Sequence, residues 1–266
     1  MLTKRIIACL DVLKGQVTKA IQFQDNINIA PVSDVIKKLY NDGIDEVIFF
    51  DISASSERRK IDIDVVKKAS ELIFVPFTVG GGIKTVEDMY EVLKAGAEKI
   101  SIDSMAVRNP NLITEGSKAF GSQCIVLSMQ AKKVNPSSSI PSGYEIYIDG
   151  ARVSTGMDAI EWAIKGEKLG AGELVINSID CDGMLSGYDI NLLDKICKAV
   201  NIPVIASGGA GKCEHVAEAF IKTDVSAAIV SSMLYSTRLE RNFSIEEIKN
   251  YLINEGIPVR AHIRGD

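Results

Sequence analysis

Short apolar runs and amphipathic segments alternate along this chain from end to end. The apolar runs fall at residues 5–10, 46–51, 75–79, 99–102, 124–129, 173–178, 203–206 and 226–230. A run such as Ile125-Val-Leu-Ser-Met129 is rich in apolar side chains and does not alternate with polar ones, which suits a parallel strand covered on both faces. Between these runs, segments near 32–42, 61–72, 85–95, 110–119, 157–169, 189–199, 212–222 and 244–254 carry apolar residues at helical spacing. Eight strand–helix pairs over about 250 residues predict a (β/α)8 barrel. An open doubly wound sheet rarely sustains eight such regular units. The expected barrel spans residues 1–260, with 261–266 as a flexible tail.

The two halves of the chain repeat each other. Gly43–Ser53 aligns with Gly170–Asp180 at an offset of 127 residues, and the segment that begins at Val75 continues the match onto the one that begins at Ile202. Gly81 and Gly82 thereby match Gly208 and Gly209, and Ser104 matches Ser231. Earlier in each copy the offset is 119, which pairs Arg5–Asp11 with Cys124–Gln130. The difference falls in the Pro- and Ser-rich stretch 135–143, read as a loop insertion. Asp11 and Gln130 therefore end equivalent strands, with a carboxylate in one half and an amide in the other.

With 46% hydrophobic and 24% charged residues among 266, the composition is that of a soluble globular protein. A net charge of −5 provides no basic face for nucleic acid. The five cysteines, Cys9, Cys124, Cys181, Cys197 and Cys213, are odd in number and contain no C-x-x-C pair. They argue against a disulfide framework or zinc site and for a reducing cytoplasm. No run approaches 18 apolar residues and no apolar leader precedes the first strand, so neither a membrane span nor a targeting segment is expected. No metal or cofactor is expected either. His215 and His262 read as surface residues, Trp162 as core, and Asp51 as either a site residue or a structural acceptor.

The chemistry of such a barrel belongs at the C-terminal ends of its strands. Thr78-Val-Gly-Gly-Gly-Ile83 closes the third strand with glycines that let an anion approach backbone N–H groups, and Ser104 adds a hydroxyl nearby. Ala206-Ser-Gly-Gly-Ala-Gly211 and Ser231-Ser232 repeat this cradle on the opposite side of the rim. Two symmetric cradles imply a long ligand with a phosphate at each end. At the other end of the strands stand Arg5, Glu46, Lys99 and Glu173, and Glu46 and Glu173 are repeat mates. Four charges at the inner mouth of a barrel must pair to offset their desolvation. A purely structural plug is one reading of them.

The segments KRIIACLDV, DISASSE, FTVGGGI, NPNLITE, FGSQCIV, GAGEL, IASGGAGK and GIPVR together resemble the cyclase subunit of imidazole glycerol phosphate synthase, the HisF family. The likeness covers nearly all of residues 1–260. It implies a heterodimer in which a glutaminase docks on the bottom of the barrel and ammonia travels through the barrel core. Arg5, Glu46, Lys99 and Glu173 would then gate that passage, with Glu98 as a docking contact. At the top, ammonia would add to a bisphosphorylated ribonucleotide, giving imidazole glycerol phosphate and an aminoimidazole carboxamide ribonucleotide. The resemblance implies Asp11 as one of two acid/base aspartates, with Gln130 in the place of the other. Gly82, Ser104, Gly183, Gly208, Gly209, Ser231 and Ser232 would hold phosphates. Lys19, Asp103 and Asp182 would contact substrate, Lys19 from a flexible loop.

Several residues depart from the family pattern, all at the top of the barrel. Gln130 cannot exchange a proton near neutral pH, so it cannot replace a catalytic carboxylate. Asp103 stands where the family has Asn and is expected to repel the first phosphate. Cys181 and Met184 replace Arg and Thr, and Ala20 replaces Gly beside Lys19. The four charges at the bottom are unchanged. Two other functions fit that asymmetry. One is a relative that channels ammonia to a different amidation, such as that of a surface-glycan sugar. The other is a non-catalytic partner that activates a glutaminase.

Overall fold

The computed structural model describes residues 2–21, 24–52, 60–236 and 238–261, with residues 19–21 and 24–27 described by their backbone alone. Its strands in chain order are β1 (Arg5–Leu13), β2 (Gln16–Ile21), β3 (Gln24–Pro31), β4 (Glu46–Asp51), β5 (Phe77–Gly80) and β6 (Lys99–Ile102). They continue as β7 (Ile125–Lys133), β8 (Tyr144–Ile148), β9 (Val153–Asp158), β10 (Glu173–Ser178), β11 (Val204–Ser207) and β12 (Ala227–Ile229). The parallel order β1-β4-β5-β6-β7-β10-β11-β12 closes on itself where Arg5 of β1 pairs with Ala227 of β12. This is the expected (β/α)8 barrel.

The remaining four strands were not evident in the hydrophobic pattern. β2 and β3 extend β1 as an antiparallel ribbon, and β8 and β9 extend β7 in the same way. Each half thus carries a ribbon at the equivalent place. The 135–143 loop joins β7 to β8. β9 escapes a periodicity search because its Val153, Ser154 and Gly156 are exposed and offer no buried apolar alternation. The ribbon also corrects the picture of Lys19, whose backbone pairs with Ile27 across β2 and β3 instead of lying in a loop. Its side chain lies outside the described residues.

The described helices are α1 (Val32–Asn41), α2 (Ile63–Ser70), α3 (Val86–Lys94), α4 (Ser104–Arg108), α5 (Asn111–Phe120), α6 (Ala159–Leu169), α7 (Ile190–Ala199), α8 (Cys213–Lys222), α9 (Ser231–Tyr235) and α10 (Ile245–Asn254). Their starts follow side-chain capping. Thr85 and Ser244 form capping boxes at α3 and α10. The Asp158 carboxylate accepts from the N–H groups of Ile160 and Glu161, which starts α6 at Ala159 and not at 157.

Alternation along each strand sorts side chains into two cores. On β1, Ile6, Ala8 and Leu10 face the helices, while Ile7 joins Ile48, Val126, Val175, Ile205, Ala227 and Ile229 inside the barrel. Arg5 lies below that inner apolar layer, and Cys9 and then Asp11 lie above it. The barrel interior therefore runs from charged, through apolar, to polar, and the polar end is the rim where the strands finish.

Candidate functional site

Two adjoining cavities open at that rim. The larger, about 320 Å³, is lined by Gly81, Gly82, Asp103, Ser104, Arg108 and Arg152. The smaller, about 100 Å³, is lined by Asp182, Gly208, Gly209, Ser231 and Ser232. Asp11, Phe50 and Gln130 line both, so the two strand ends paired by the repeat form the waist of one two-lobed cleft. Gly183 is next to the lining residue Asp182, and its carbonyl accepts a hydrogen bond from Arg238 at 2.5 Å.

The glycines of each lobe are required by geometry. Gly81 has φ +92°, and a Cβ there would come within 2.3 Å of the Asp51 carbonyl oxygen. Gly209 has φ +109°, and its Cβ would approach the Gly187 carbonyl oxygen to 2.0 Å. Only glycine permits both the left-handed backbone and the close approach. The two serines expected beside these glycines are held by the protein itself. The Ser104 hydroxyl accepts from the Asp149 N–H at 2.9 Å and donates to Asp103 at 3.3 Å. The Ser231 hydroxyl accepts from the Cys9 N–H and donates to the Cys9 carbonyl, both at 2.7 Å.

A line of polar side chains crosses the waist. Ser207 donates to Asn177 Oδ1 at 3.0 Å, Asn177 Nδ2 donates to Gln130 Oε1 at 2.8 Å, and Gln130 Nε2 donates to Asp103 Oδ2 at 3.3 Å. With its oxygen used by Asn177, the Gln130 amide must present N–H to Asp103. Burial pushes the Asp103 carboxyl up to about 6, against the opposing pull of its hydrogen bonds with Gln130 and Ser104. The expected repulsion of phosphate by Asp103 therefore applies above about pH 6, where the carboxyl is charged. Arg108 and Asp149 form an ion pair at the edge of the larger lobe.

Asn177, Ser207, Arg108 and Arg152 escaped the sequence reading. A signal existed for two of them. By the repeat, Asn177 and Ser207 stand where the first half has Phe50 and Gly80, so each is a polar side chain without a polar counterpart. Asp51 lines the larger cavity, and its carboxylate accepts from the Asp62 N–H at 3.3 Å, as expected of a structural acceptor. His215 is half-buried and accepts the Gly211 N–H at 3.2 Å, with burial lowering its pKa. His262 lies outside the described residues. Trp162 is core, 1% exposed. Among the described residues, no cluster of three or more His, Cys, Asp or Glu side chains is placed to hold a metal ion. No described helix is long and apolar enough to cross a membrane.

At the opposite mouth the four charges form a closed ring. Arg5 reaches Glu46 at 2.6 Å and Glu173 at 2.5 Å, and Lys99 reaches the same two carboxylates at 2.9 and 2.8 Å. Thr78 also donates to Glu46 at 3.1 Å. Each cation bridges both anions, which is how buried charges avoid an uncompensated desolvation cost.

Comparison with known proteins agrees with this architecture. A family model described as "Histidine biosynthesis protein" matches residues 5–240. The imidazole glycerol phosphate synthase subunit HisF of Syntrophobacter fumaroxidans is 53% identical over 261 residues, 98% of this chain and 99% of that protein. Its namesake from Desulfatibacillum aliphaticivorans is 51% identical over 265 residues, covering 99% and 100% of the two chains. The corresponding subunit of Clostridium botulinum strain Okra is 49% identical over 263 residues. The chain belongs to the histidine biosynthesis protein family, in the group of imidazole glycerol phosphate synthase HisF subunits.

Proposed function

We propose that this chain is the cyclase subunit of imidazole glycerol phosphate synthase, working in the cytoplasm as a heterodimer with a glutaminase. The two-lobed cleft carries this reading, because its lobes suit a ligand with a phosphate at each end and its waist holds the acid/base group. In this reading ammonia adds to the bisphosphorylated ribonucleotide, and imidazole glycerol phosphate and the aminoimidazole carboxamide ribonucleotide leave. Asp11 moves protons at the reacting atoms. Backbone N–H groups around Gly82, Gly208 and Gly209 hold the phosphates, with Ser104, Ser231, Ser232 and Gly183 completing the two lobes and Lys19 and Asp182 contacting substrate. The Ser104 hydroxyl is engaged by the Asp149 N–H and the Asp103 carboxyl, and the Ser231 hydroxyl by the Cys9 backbone, so both serines act mainly by fixing the walls of the lobes. Gln130, held between Asn177 and Asp103, orients its neighbours and transfers no proton.

The ring of Arg5, Glu46, Lys99 and Glu173 gates ammonia entry from a glutaminase docked at the bottom, near Glu98. The apolar layer of Ile7, Ile48, Val126, Val175 and Ile205 above it favours passage of a neutral molecule over an ion. An ammonia-dependent cyclase assay on the isolated chain, with complementation of a histidine auxotroph, tests the function. Turnover and growth are expected. A chain that stimulates a glutaminase yet forms no product from ammonia has the docking role instead.

A further inference from the structure

Acid/base work at the waist of the cleft calls for a second titratable group beside Asp11, and the repeat mate of Asp11 is an amide. Gln130 lies in the wall of the cavity and hands a hydrogen bond to Asp103, which lines the same cavity as Asp11. We propose that Asp103 is the second catalytic carboxyl of this chain, acting as a general acid beside Asp11, with Gln130 and Ser104 as its positioning residues. The proposal rests on the cyclase reading and deepens it.

The geometry fixes how the carboxyl is presented to the cavity. Gln130 Nε2 and the Ser104 hydroxyl donate to different oxygens of the carboxyl, Oδ2 and Oδ1, so both hold it in one orientation. Its surroundings include charges of both signs: Asp149 and Arg108, paired with each other, Arg152 and Lys84 in the cavity wall, and Asp11 and Asp51 across it. Burial outweighs them and keeps the proton on Asp103 to about pH 6. A phosphate in the larger lobe raises that value further by like-charge repulsion, so substrate arrival itself loads the acid. In the reaction, ammonia first condenses with the sugar carbonyl, whose oxygen leaves as water. The same nitrogen then bonds to the carbon that bridges to the aminoimidazole and loses a proton. That carbon's bond to the aminoimidazole nitrogen breaks, and the departing nitrogen gains a proton. Asp11 as carboxylate accepts the first, and Asp103 as acid donates the second. The exchange is balanced, and solvent resets the pair.

Asp103→Asn tests this, since the amide keeps the size and loses the proton. The expected result is a fall in kcat of roughly 10²–10⁴-fold, the usual contribution of one acid/base group. Affinity for the bisphosphorylated ribonucleotide, measured by calorimetry without ammonia, should hold or tighten. The alkaline limb of the kcat profile, with rates referred to free ammonia, should vanish. Asp103→Glu should retain the limb, and Asp103→Asn combined with Gln130→Asp should restore it. Unchanged kcat in Asp103→Asn overturns the proposal, as does a loss of binding equal to the loss of rate. A double variant as slow as the single one also overturns it, because the carboxyl would then serve its contacts and not its proton. A wild-type chain without cyclase turnover refutes the functional reading instead. In that case ¹³C NMR of the labelled Asp103 carboxyl decides: titration near 6, rising with bound ribonucleotide, supports the assignment, and titration near 4 ends it.

Discussion

Asp103 holds its proton more tightly in the native chain than in the unfolded one, because burial disfavours its charged form. Stability follows from that difference with a definite sign. Below the unfolded value of 3.8 both states are protonated and no penalty exists. As pH rises from there through about 6, the unfolded chain ionises first and native stability falls. The loss at neutral pH is about 3 kcal/mol, taking 1.36 kcal/mol per pKa unit. Asp103→Asn should therefore raise denaturant stability at pH 7 by up to about 3 kcal/mol and leave it unchanged near pH 3. Equal gains at both pH values would mean that burial does not raise the carboxyl above its unfolded value. Gly209→Ala makes the opposite case, since nothing flexible can yield to its Cβ. It should destabilise by roughly 1–3 kcal/mol and abolish phosphate affinity in the smaller lobe, measurable by thermal melts and calorimetry. Both positions were visible in the sequence as candidates. The hydrogen bond from Gln130 to Asp103 was not, because it joins residues 27 apart whose approach depends on neighbouring strands.

Among elements, the barrel strands were legible and the ribbons were not. Strands such as β7 and β10 are buried nearly throughout, so they read as apolar runs whatever surrounds them. β9 lies largely against solvent, β8 is buried but carries Glu145 within its apolar run, and a register shift between them interrupts even the alternation that an edge ribbon should show. The bottom ring spans four strands, and its residues were legible while its pairing was not. Each carboxylate there has two cations, so Lys99→Ala leaves Arg5 as the sole counter-charge to Glu46 and Glu173. A loss of roughly 2–4 kcal/mol is expected, short of unfolding, since Arg5 and Lys99 retain contact with water. In the complex, the same variant should let glutamine hydrolysis proceed while cyclase product from glutamine falls. Product made from added ammonia should persist. Intact coupling in Lys99→Ala would reduce the ring to a plug.

For the molecule as a whole, closure joins the two ends of the chain. On the side of β1 away from β12, its joint with the start of β4 is tied to α10 by Lys249, a residue 2% exposed, whose ammonium bonds the Asp45 carboxylate at 2.6 Å and the Gly43 carbonyl at 2.7 Å. Asp45 in turn accepts the Ile6 N–H at 2.8 Å. Lys249→Ala should cost roughly 3–5 kcal/mol, because the buried Asp45 carboxylate loses its buried counter-charge and keeps only the exposed Arg260, at 3.4 Å. Hydrogen exchange at Ile6 and its neighbours should accelerate with it, whereas unchanged exchange would show that the β1–β4 joint rests on strand pairing alone. The eight units and the repeat make the closed architecture readable in the sequence. Which polar residue of one half meets which of the other was unreadable, because the halves have diverged at the rim.

That divergence bears on how a two-ended molecule lands. A rim with true twofold symmetry would accept a ligand bearing the same group at both ends in either direction, and half of all landings would be backwards. Suppressing the wrong direction tenfold takes about 1.4 kcal/mol of asymmetry. The lobes differ in volume, about 320 against 100 Å³, and Asp103 faces one while its repeat mate, Val230, is a buried aliphatic. Arg108 and Arg152 line the larger lobe alone. Such differences give the cleft a polarity, so that a ligand with matched ends still meets a left and a right.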